Sequence, residues 1–352
     1  MSVPEFISER VPLAPLTTLG LGGPAQYLAE CRTTDEIVEA LRWAAAHRLG
    51  VTILGGGSNV VLPDEGLRGL VLHVTTNGLE FRESNGEVEA EAGVSWDTLV
   101  QGAVARNWAG VECLSGIPGT VGGTPIQNVG AYGQEIASTL RSVTCLDRTT
   151  LAVHTFGPGE CEFGYRTSRF KERDRSRYVV LAVSLRLTPE GAPQIAYADL
   201  VKAVRPSATL REVRDAVLTI RRSKGMLIES AASHRSAGSF FTNPVIDAAA
   251  FEALETRCRE SGLPPMPRYP AGPGRVKLSA AWLVERAGFA RGLRKGGVGV
   301  SPQHTLALVN LGGTTAELLS FAGDIIEAVE ARFGVRLAPE PEIITQATLS
   351  AS

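Results

Sequence analysis

The sequence has little net charge, because 35 Lys and Arg residues against 37 Asp and Glu residues leave −2 at neutral pH. Nucleic-acid-binding proteins usually show a strong basic excess, so this balance argues against that class. No apolar run reaches the roughly 18 residues of a transmembrane helix. The first residues show neither a basic start nor an apolar core, so we expect no signal peptide, no membrane insertion and a cytoplasmic protein.

Cysteines are few and scattered, at positions 31, 113, 145, 161 and 258. Their number is odd and no two of them have the Cys-x-x-Cys spacing, which argues against a disulfide framework and against a zinc site. We therefore expect reduced, buried thiols, as in cytosolic proteins, and no metal.

The length and composition fit a globular protein of several domains. A chain of 352 residues exceeds what one core usually supports, and 44% hydrophobic with 20% charged residues is ordinary for this class. Changes in pattern predict an α+β chain with domains at 1–75, 76–205 and 206–335. We expect the last segment, 336–352, to return to the first domain or to pack at the active site.

Local signals predict helix starts and turns within these domains. Capping boxes, in which a threonine and a glutamate three residues later satisfy the first helical amides, occur at Thr33–Glu36, Thr209–Glu212 and Thr314–Glu317. Asn85-Gly86 is typical of a β-hairpin turn. Residues 1–16 show no clear period and are predicted to be an irregular arm.

Two glycine-rich runs dominate the sequence. Gly55–Asn59 follows the apolar, strand-like Val51–Leu54, and Leu114–Gly133 holds six glycines and two prolines with almost no charge. A glycine loop after a strand can present backbone amides to phosphate oxygens. The first run lacks the lysine of a P-loop, and alone it is equally well explained as a turn. Together the two runs favour a long ligand with a diphosphate, such as FAD.

Other short matches carry less information. Gly20–Ala25 formally fits GxGxxA, but no apolar strand precedes it and Pro24 interrupts it, so we predict a turn. Ser168–Lys171 formally fits the SxxK of penicillin-binding enzymes. Neither of the accompanying tripeptides, SDN and KTG, occurs, so this interpretation is set aside.

The glycine runs belong to a longer series of motifs along the chain. In order, these are Gly55–Asn59, Ser115–Gly123, Asn128–Gly133, Gly164–Lys171, Ala237–Pro244, Ala280–Gly288 and Glu340–Glu342. This series resembles the UDP-N-acetylenolpyruvoylglucosamine reductases, in their longer, type I branch, and the resemblance extends over about residues 15–345.

This resemblance implies a fold and a cofactor. The fold is the FAD-binding module of the vanillyl-alcohol oxidase (PCMH) type, with two subdomains, followed by an α+β substrate domain. Positions 55–62 hold no histidine, so we expect non-covalent FAD. The residues that it implies for FAD are Gly55, Gly56, Gly57, Ser58, Asn59, Gly116, Ile117, Pro118, Gly119, Gly122, Gly123, Gln127, Asn128, Gly130 and Ala131.

Three residues carry the implied chemistry: Arg166, Ser239 and Glu342. Arg166 would hold a substrate carboxylate with its planar fork. Ser239, between a glycine and two phenylalanines, would be the proton donor. The residue chemistry alone leaves Glu340 and Glu342 as competitors, and the family motif points to the second glutamate of Glu-Pro-Glu.

The implied substrate contacts lie in the second and third domains. Tyr197 resembles a mobile tyrosine that closes on the uridine diphosphate, and the basic residues suit diphosphate oxygens. The chain departs from the family after residue 224, so contacts from 225–236 are not carried over. The contacts carried over are Tyr132, Tyr197, Arg221, Lys224, Asn243 and Gln303.

The implied activity is reduction of an enolpyruvyl UDP-sugar by NADPH through FAD, in peptidoglycan precursor synthesis. The expected partners are these small molecules, and we expect a monomer. Two alternatives remain at this point: an FAD oxidase of the same fold, acting on an alcohol or sugar, and a flavin-binding subunit that relays electrons within a complex.

Overall fold

The computed structural model describes residues 3–228 and 235–345. Helices and several separate sheets follow one another along the chain, so the predicted α+β class is confirmed. The division into domains at 75, 205 and 335 stays a prediction. The α-helices in this part of the chain are α1 (Thr34–Ala46), α2 (Trp96–Ala105), α3 (Ala198–Ala203), α4 (Leu210–Ser223), α5 (Ala248–Glu260), α6 (Ala280–Arg286) and α7 (Thr315–Phe333). Short 3-10 helices occupy Ala14–Leu16, Glu112–Leu114, Val121–Gly123, Ile136–Ser138 and Pro158–Cys161.

All three predicted capping boxes are present. At the start of α1, the Thr33 hydroxyl accepts a hydrogen bond from the Glu36 amide at 3.2 Å, and the Glu36 carboxylate accepts the Thr33 amide at 3.2 Å. The same reciprocal pairs open α4 and α7. Each box satisfies amides that have no partner within the helix, which fixes where the helix begins.

The N-terminal sheet contains four strands, in the spatial order Ile7–Pro12, Pro24–Cys31, Leu67–Val74 and Val51–Leu54. The first two pair antiparallel, and the others pair in parallel. The expectation of an irregular arm over residues 1–16 is therefore wrong. The first strand lies at the sheet edge, and Ile7 is its only fully buried residue. An edge strand with one buried side chain leaves no periodic pattern in the sequence.

The central sheet is antiparallel and has five strands. The predicted hairpin at Asn85-Gly86 joins its last two strands, and Gly86 has a φ of +70°, which favours glycine. Apolar side chains of this sheet, the N-terminal sheet, α1 and α2 form one continuous core. In spatial order the strands are Val153–Phe156, Leu140–Asp147, Tyr178–Arg186, Glu87–Glu91 and Leu79–Arg82.

The C-terminal part contains two small antiparallel sheets with α5, α6 and α7 packed around a second core. One sheet has the order Arg235–Ser236, Leu308–Asn310, Val298–Val300 and Arg294–Lys295. The other has the order Val245–Asp247, Arg275–Leu278 and Arg268–Pro270. Two further two-stranded pairs join Trp108–Ala109 to Thr188–Pro189 and Gly130–Ala131 to Gln134–Glu135.

The chain then returns to the N-terminal part. Glu342–Ile343 pairs in parallel with Val60–Val61, directly after the first glycine run. Just before it, Pro339 forms an antiparallel bridge with Phe241, two residues after Ser239. This last segment therefore brings the first glycine run and the Ser239 region together.

Within the described residues, none of the helices combines the length and the apolar composition needed to cross a membrane. No cluster of metal-ligating side chains is found there either. All five cysteines are buried and unpaired. Burial raises the pKa of Cys31, Cys113 and Cys145 to about 12, so these thiols stay protonated at neutral pH.

Candidate active site

A cavity of about 1570 Å³ is lined by both glycine runs, by α1 and by residues of the C-terminal part. Small-molecule sites usually have about 300–1,000 Å³. The cavity therefore has room for a dinucleotide together with a second ligand. Most residues expected to act in catalysis or binding meet on its walls, although they come from distant parts of the sequence.

The two glycine runs pack directly against each other. A Cβ built on Gly56 would lie 2.7 Å from Gly119 Cα, and the Ser58 hydroxyl donates to the Pro118 carbonyl at 3.1 Å. Gly57 has a φ of +59°, and its Cβ would lie 1.8 Å from a backbone carbonyl oxygen. Glycine is therefore required here by the approach of one backbone to another, as well as by any ligand.

The cavity walls fit FAD. Gly123, in the second glycine run, lines the cavity and faces open space, since a Cβ there would meet nothing within 4 Å. The Thr52 hydroxyl is buried at the same wall and has no hydrogen-bond partner among the described residues. Open space beside a glycine and an unsatisfied hydroxyl are features that a bound nucleotide would complete.

All residues predicted to hold FAD line this cavity except Gly116 and Asn128. Asn128 is buried behind the wall, where its amide donates to Glu135 at 2.9 Å and to the Gly164 carbonyl at 3.1 Å. These two residues shape the wall and do not form its surface.

Both backbone polar groups of Gly116 have side-chain hydrogen-bond partners. Its amide donates to Asp97 at 2.6 Å, and its carbonyl accepts a hydrogen bond from Arg221 Nε at 3.0 Å. Arg214 makes two hydrogen bonds of 2.7 Å to Asp97. Arg221 also donates to the Met226 carbonyl at 3.0 Å. Arg221 was predicted to bind substrate; it reaches the cavity, but part of its fork is bonded to the backbone.

Arg166 is held in a strained backbone conformation, with a φ of +56°. Its guanidinium donates to the carbonyls of Gly130 and Asn128, and Nε lies 3.2 Å from Glu340 Oε1. The side chains of Arg166 and Glu340 are only 20% and 16% exposed. Three of the five N–H groups of an arginine therefore have protein acceptors, which orients the remaining two.

The structure places Glu340, and not Glu342, beside Arg166. The Glu342 carboxylate instead pairs with Arg175, and both of these side chains are more exposed, at 34% and 56%. Burial raises the pKa of Glu340, and the nearby Arg166 charge opposes this rise. Glu342 nevertheless lines the same cavity as Arg166 and Glu340, so its predicted catalytic role stays a prediction.

The different environments of the two glutamates follow from their backbone partners. The Glu340 amide donates to the Phe240 carbonyl, and the Glu342 amide donates to the Asn59 carbonyl. The chain changes backbone partner at Pro341, so the two glutamates have different neighbours although both line the cavity.

Ser239 lies on the cavity wall next to this crossing. Gly238 before it has a φ of +72°, and Phe240 and Phe241 after it are fully buried. The Phe240 amide donates to the Leu306 carbonyl at 2.7 Å. The Phe240 carbonyl accepts the Glu340 amide, so the segment that follows Ser239 is paired with the segment that carries Glu340.

Two tyrosines and a lysine form another part of the wall. The rings of Tyr132 and Tyr197 meet edge to face, with centroids 5.4 Å apart. Tyr197 precedes α3 and is 38% exposed. Lys224 Nζ lies 2.7 Å from Asp199 and 5.8 Å from the Tyr132 ring centroid. The predicted substrate contacts Tyr132, Tyr197 and Lys224 are therefore grouped.

Two further predicted substrate contacts, Asn243 and Gln303, differ in whether they line the cavity. Asn243 lines the cavity, while its side-chain oxygen accepts the Ala280 amide at 2.9 Å. Gln303 does not line it, and its oxygen accepts a hydrogen bond from the Ser301 hydroxyl at 3.1 Å. Of the loop 225–236, for which no contacts were carried over, residues 229–234 lie outside the described part of the chain.

His304, next to Gln303, was not predicted and does line the cavity. Its Nδ1 accepts the Leu306 amide at 3.1 Å, which leaves the proton on Nε2. Burial, with contributions from Lys224 and Arg291, lowers the pKa of His304 to about 4. It is therefore a neutral imidazole with one available donor. No sequence motif distinguishes it from a structural histidine.

Two family profiles match the chain. One describes an FAD-binding domain and matches residues 25–155. The other describes the C-terminal domain of UDP-N-acetylenolpyruvoylglucosamine reductase and matches residues 229–344. Together they cover both glycine runs, Ser239 and the Glu340 segment.

Similarity to characterised proteins extends over nearly the whole chain. The UDP-N-acetylenolpyruvoylglucosamine reductase of Thermobifida fusca is 47% identical over 349 residues, covering 96% of this chain and 98% of that protein. The chain belongs to this reductase family. The Nocardia farcinica reductase is 46% identical and covers 95% of this chain and 89% of its own. The crystal structure of the Thermus caldophilus family member superposes with a TM-score of 0.67 at 26% identity, covering 97% of this chain and all of that one.

Proposed function

We propose that this protein reduces UDP-N-acetylenolpyruvoylglucosamine to UDP-N-acetylmuramate with electrons from NADPH, using non-covalently bound FAD. Family membership over nearly the full chain supports the reaction. The structural observation that carries it is one cavity in which both glycine runs, the Arg166–Glu340 pair and Ser239 share the wall. This arrangement suits a flavin and a carboxylate substrate side by side.

FAD held by the two glycine runs would supply the hydride-transfer chemistry between NADPH and the substrate. The residues of the chain would position this cofactor. Ser58 and Asn59 join the first glycine run to the second run and to the C-terminal segment through their side chains. This locks the two runs in register, so that amides on both sides of the cavity face the same ligand.

Arg166 and Glu340 act on the carboxylate of the enolpyruvyl group. As hydride reaches the vinyl methylene carbon, the double-bond electrons move toward the carbon that bears the carboxylate, which becomes an enolate. The two free N–H groups of Arg166 face this charge in a water-poor site, where fixed donors stabilise it strongly. The family motif points to Glu342, which also lines the cavity. We instead propose Glu340 for the carboxylate role, because Glu340 is the glutamate paired with Arg166 and buried against it.

Ser239 supplies the proton that completes the reaction. Ser239 precedes Phe240, whose carbonyl accepts the Glu340 amide, and Ser239 and Glu340 both line the cavity. Transfer of that proton to the enolate carbon restores a neutral, saturated carbon and sets its stereochemistry. General acid catalysis of this kind contributes about 10²–10⁴ in rate.

Tyr132, Tyr197 and Lys224 form the site for the uridine diphosphate part of the substrate. Lys224 provides charge for the diphosphate, and the exposed Tyr197 at the start of α3 is placed to close over it. We further propose that the protein acts as a monomer in the cytoplasm and serves peptidoglycan synthesis, and through it cell shape and division.

The test is the dependence of NADPH oxidation on the sugar substrate. The purified protein should oxidise NADPH slowly alone and rapidly when UDP-N-acetylenolpyruvoylglucosamine is added, with equal amounts of UDP-N-acetylmuramate formed. If NADPH oxidation does not respond to the sugar, or if no muramate product appears, the proposal fails.

A further inference from the structure

Lys277 lies on the cavity wall near Arg166, and neither motif nor resemblance singled it out. It belongs to Arg275–Leu278, the middle strand of the three-stranded C-terminal sheet, and its side chain is half-buried. Its Nζ stands 4.5 Å from the centroid of the Tyr165 ring. Tyr165 precedes Arg166 in the chain and also lines the cavity, so the ammonium and the guanidinium share one region.

The charge of Lys277 is poorly compensated. The described residues provide no ion-pair partner for it, and the Tyr165 ring face contributes only a modest attraction. Burial and the nearby Arg166 both lower the pKa of Lys277. The carboxylate that acts on it, Glu135, already accepts the Asn128 amide at 2.9 Å. A desolvated cation of this kind is stabilised when an anionic ligand arrives.

Arg166 differs in this respect. Its charge is neutralised by Glu340, and three of its N–H groups have protein acceptors. With two N–H groups free, it can orient a carboxylate but adds little net positive charge to the cavity. Lys277 adds a positive charge to this region that no described carboxylate pairs with, whereas Lys171, also on the wall, donates to the Arg166 carbonyl at 3.3 Å. An ammonium is a compact point charge that needs no bidentate geometry, so it can bind a carboxylate oxygen that Arg166 leaves free.

We propose that Lys277 is a second cationic contact for the carboxylate of the substrate, beside Arg166. This inference rests on the proposed function. The diphosphate is the other anionic group of the substrate, but Lys224, Tyr132 and Tyr197 already form a separate group for it.

The test compares two ligands that differ in the carboxylate. UDP-N-acetylenolpyruvoylglucosamine carries it, and UDP-N-acetylglucosamine lacks the enolpyruvyl group altogether. Binding of each to the oxidised holoenzyme is followed by the change in flavin absorbance. Lys277→Met, which keeps the length of the side chain, should weaken binding of the first ligand about ten- to hundredfold. Binding of the second should change less than about twofold.

Two further variants control the result. Lys277→Arg keeps the charge and should recover part of the affinity for the enolpyruvyl ligand. Lys295→Met removes a lysine that pairs with Asp324 and does not line the cavity, and it should leave both affinities unchanged. If Lys277→Met loses flavin, Lys277→Gln is measured in its place.

Three outcomes would overturn the inference. An equal loss for both ligands would assign Lys277 to the UDP part or to the fold. If neither ligand lost affinity, Lys277 would have no role in binding them. If flavin reduction became slower with NADPH but not with NADH, while the sugar affinities stayed intact, Lys277 would be assigned to the 2′-phosphate of NADPH. Failure of the parent protein to reduce the enolpyruvyl sugar would instead refute the proposed function, and it is measured separately by turnover.

Discussion

Replacing Glu340 with glutamine tests the assignment of the active-site carboxylate. The change keeps the size of the side chain and removes its charge from the Arg166 pair. Oppositely charged groups 3.2 Å apart attract by about 5 kcal/mol at an effective dielectric constant of about 20. Desolvation of both groups offsets much of this, but loss of one partner leaves the other charge buried and misoriented. Glu340→Gln should slow substrate-driven flavin reoxidation by about 10²–10³, the usual cost of losing one fixed group that stabilises the developing charge.

Glu342→Gln is the matched control. Its partner Arg175 is 56% exposed, and exposed ion pairs contribute only about 0–1 kcal/mol. This variant should keep the reoxidation rate within about fivefold of the parent. Rapid mixing of reduced enzyme with the sugar measures both variants, and flavin content shows that both are folded. A large loss in Glu342→Gln with a small loss in Glu340→Gln would refute the assignment.

The pH dependence gives a second readout for Glu340. Because burial raises the pKa of Glu340, its carboxylate becomes protonated at a higher pH than an ordinary glutamate does when the pH is lowered. The reoxidation rate of the parent should therefore decline on the acid side, and Glu340→Gln should lack this decline. A retained decline in the variant would attribute it to another group.

The remaining predictions concern four other places. Gly123→Val fills open space on the cavity wall, so the purified protein should stay folded but lose most of its flavin. Gly159→Val, which also faces open space but lies outside the cavity, should keep its flavin. Full flavin content in both variants would contradict the FAD site. Tyr197→Ala should weaken sugar binding and leave reduction by NADPH nearly intact, and equal losses would indicate a structural role. Ser239→Ala should slow only reoxidation by the sugar, by about 10²–10⁴, with partial recovery in Ser239→Cys; an unchanged rate would remove the serine from the mechanism. Because the pKa of His304 is lowered in the folded state, the free energy of unfolding should fall as the pH drops from about 6.5 to about 4. The fall should be less steep in His304→Gln, and urea titrations at several pH values measure it.

Patterns that depend on neighbouring residues could be predicted from the sequence. The capping boxes and the hairpin at Asn85-Gly86 follow from local hydrogen bonding and turn preferences, and the structure confirms them. The glycine runs were also predictive, because close approach between backbones requires glycine wherever the partner lies.

Features that depend on distant partners could not be predicted in the same way. Glu340 and Glu342 look alike in the sequence, and only the change of backbone partner between them separates their surroundings. Arg221 was expected to reach the ligand, but a carbonyl 105 residues away accepts one of its hydrogen bonds. Lys277 resembles any lysine in a short strand, and its desolvation comes from the packing of that strand against the Arg166 region.

A single-turnover experiment without oxygen tests the central claim most directly. The holoenzyme is reduced with one equivalent of NADPH under argon and then mixed with UDP-N-acetylenolpyruvoylglucosamine. The proposed function predicts that the flavin absorbance returns in one phase, with one equivalent of UDP-N-acetylmuramate formed. A flavin that stays reduced until air is admitted would contradict the claim and favour an oxidase.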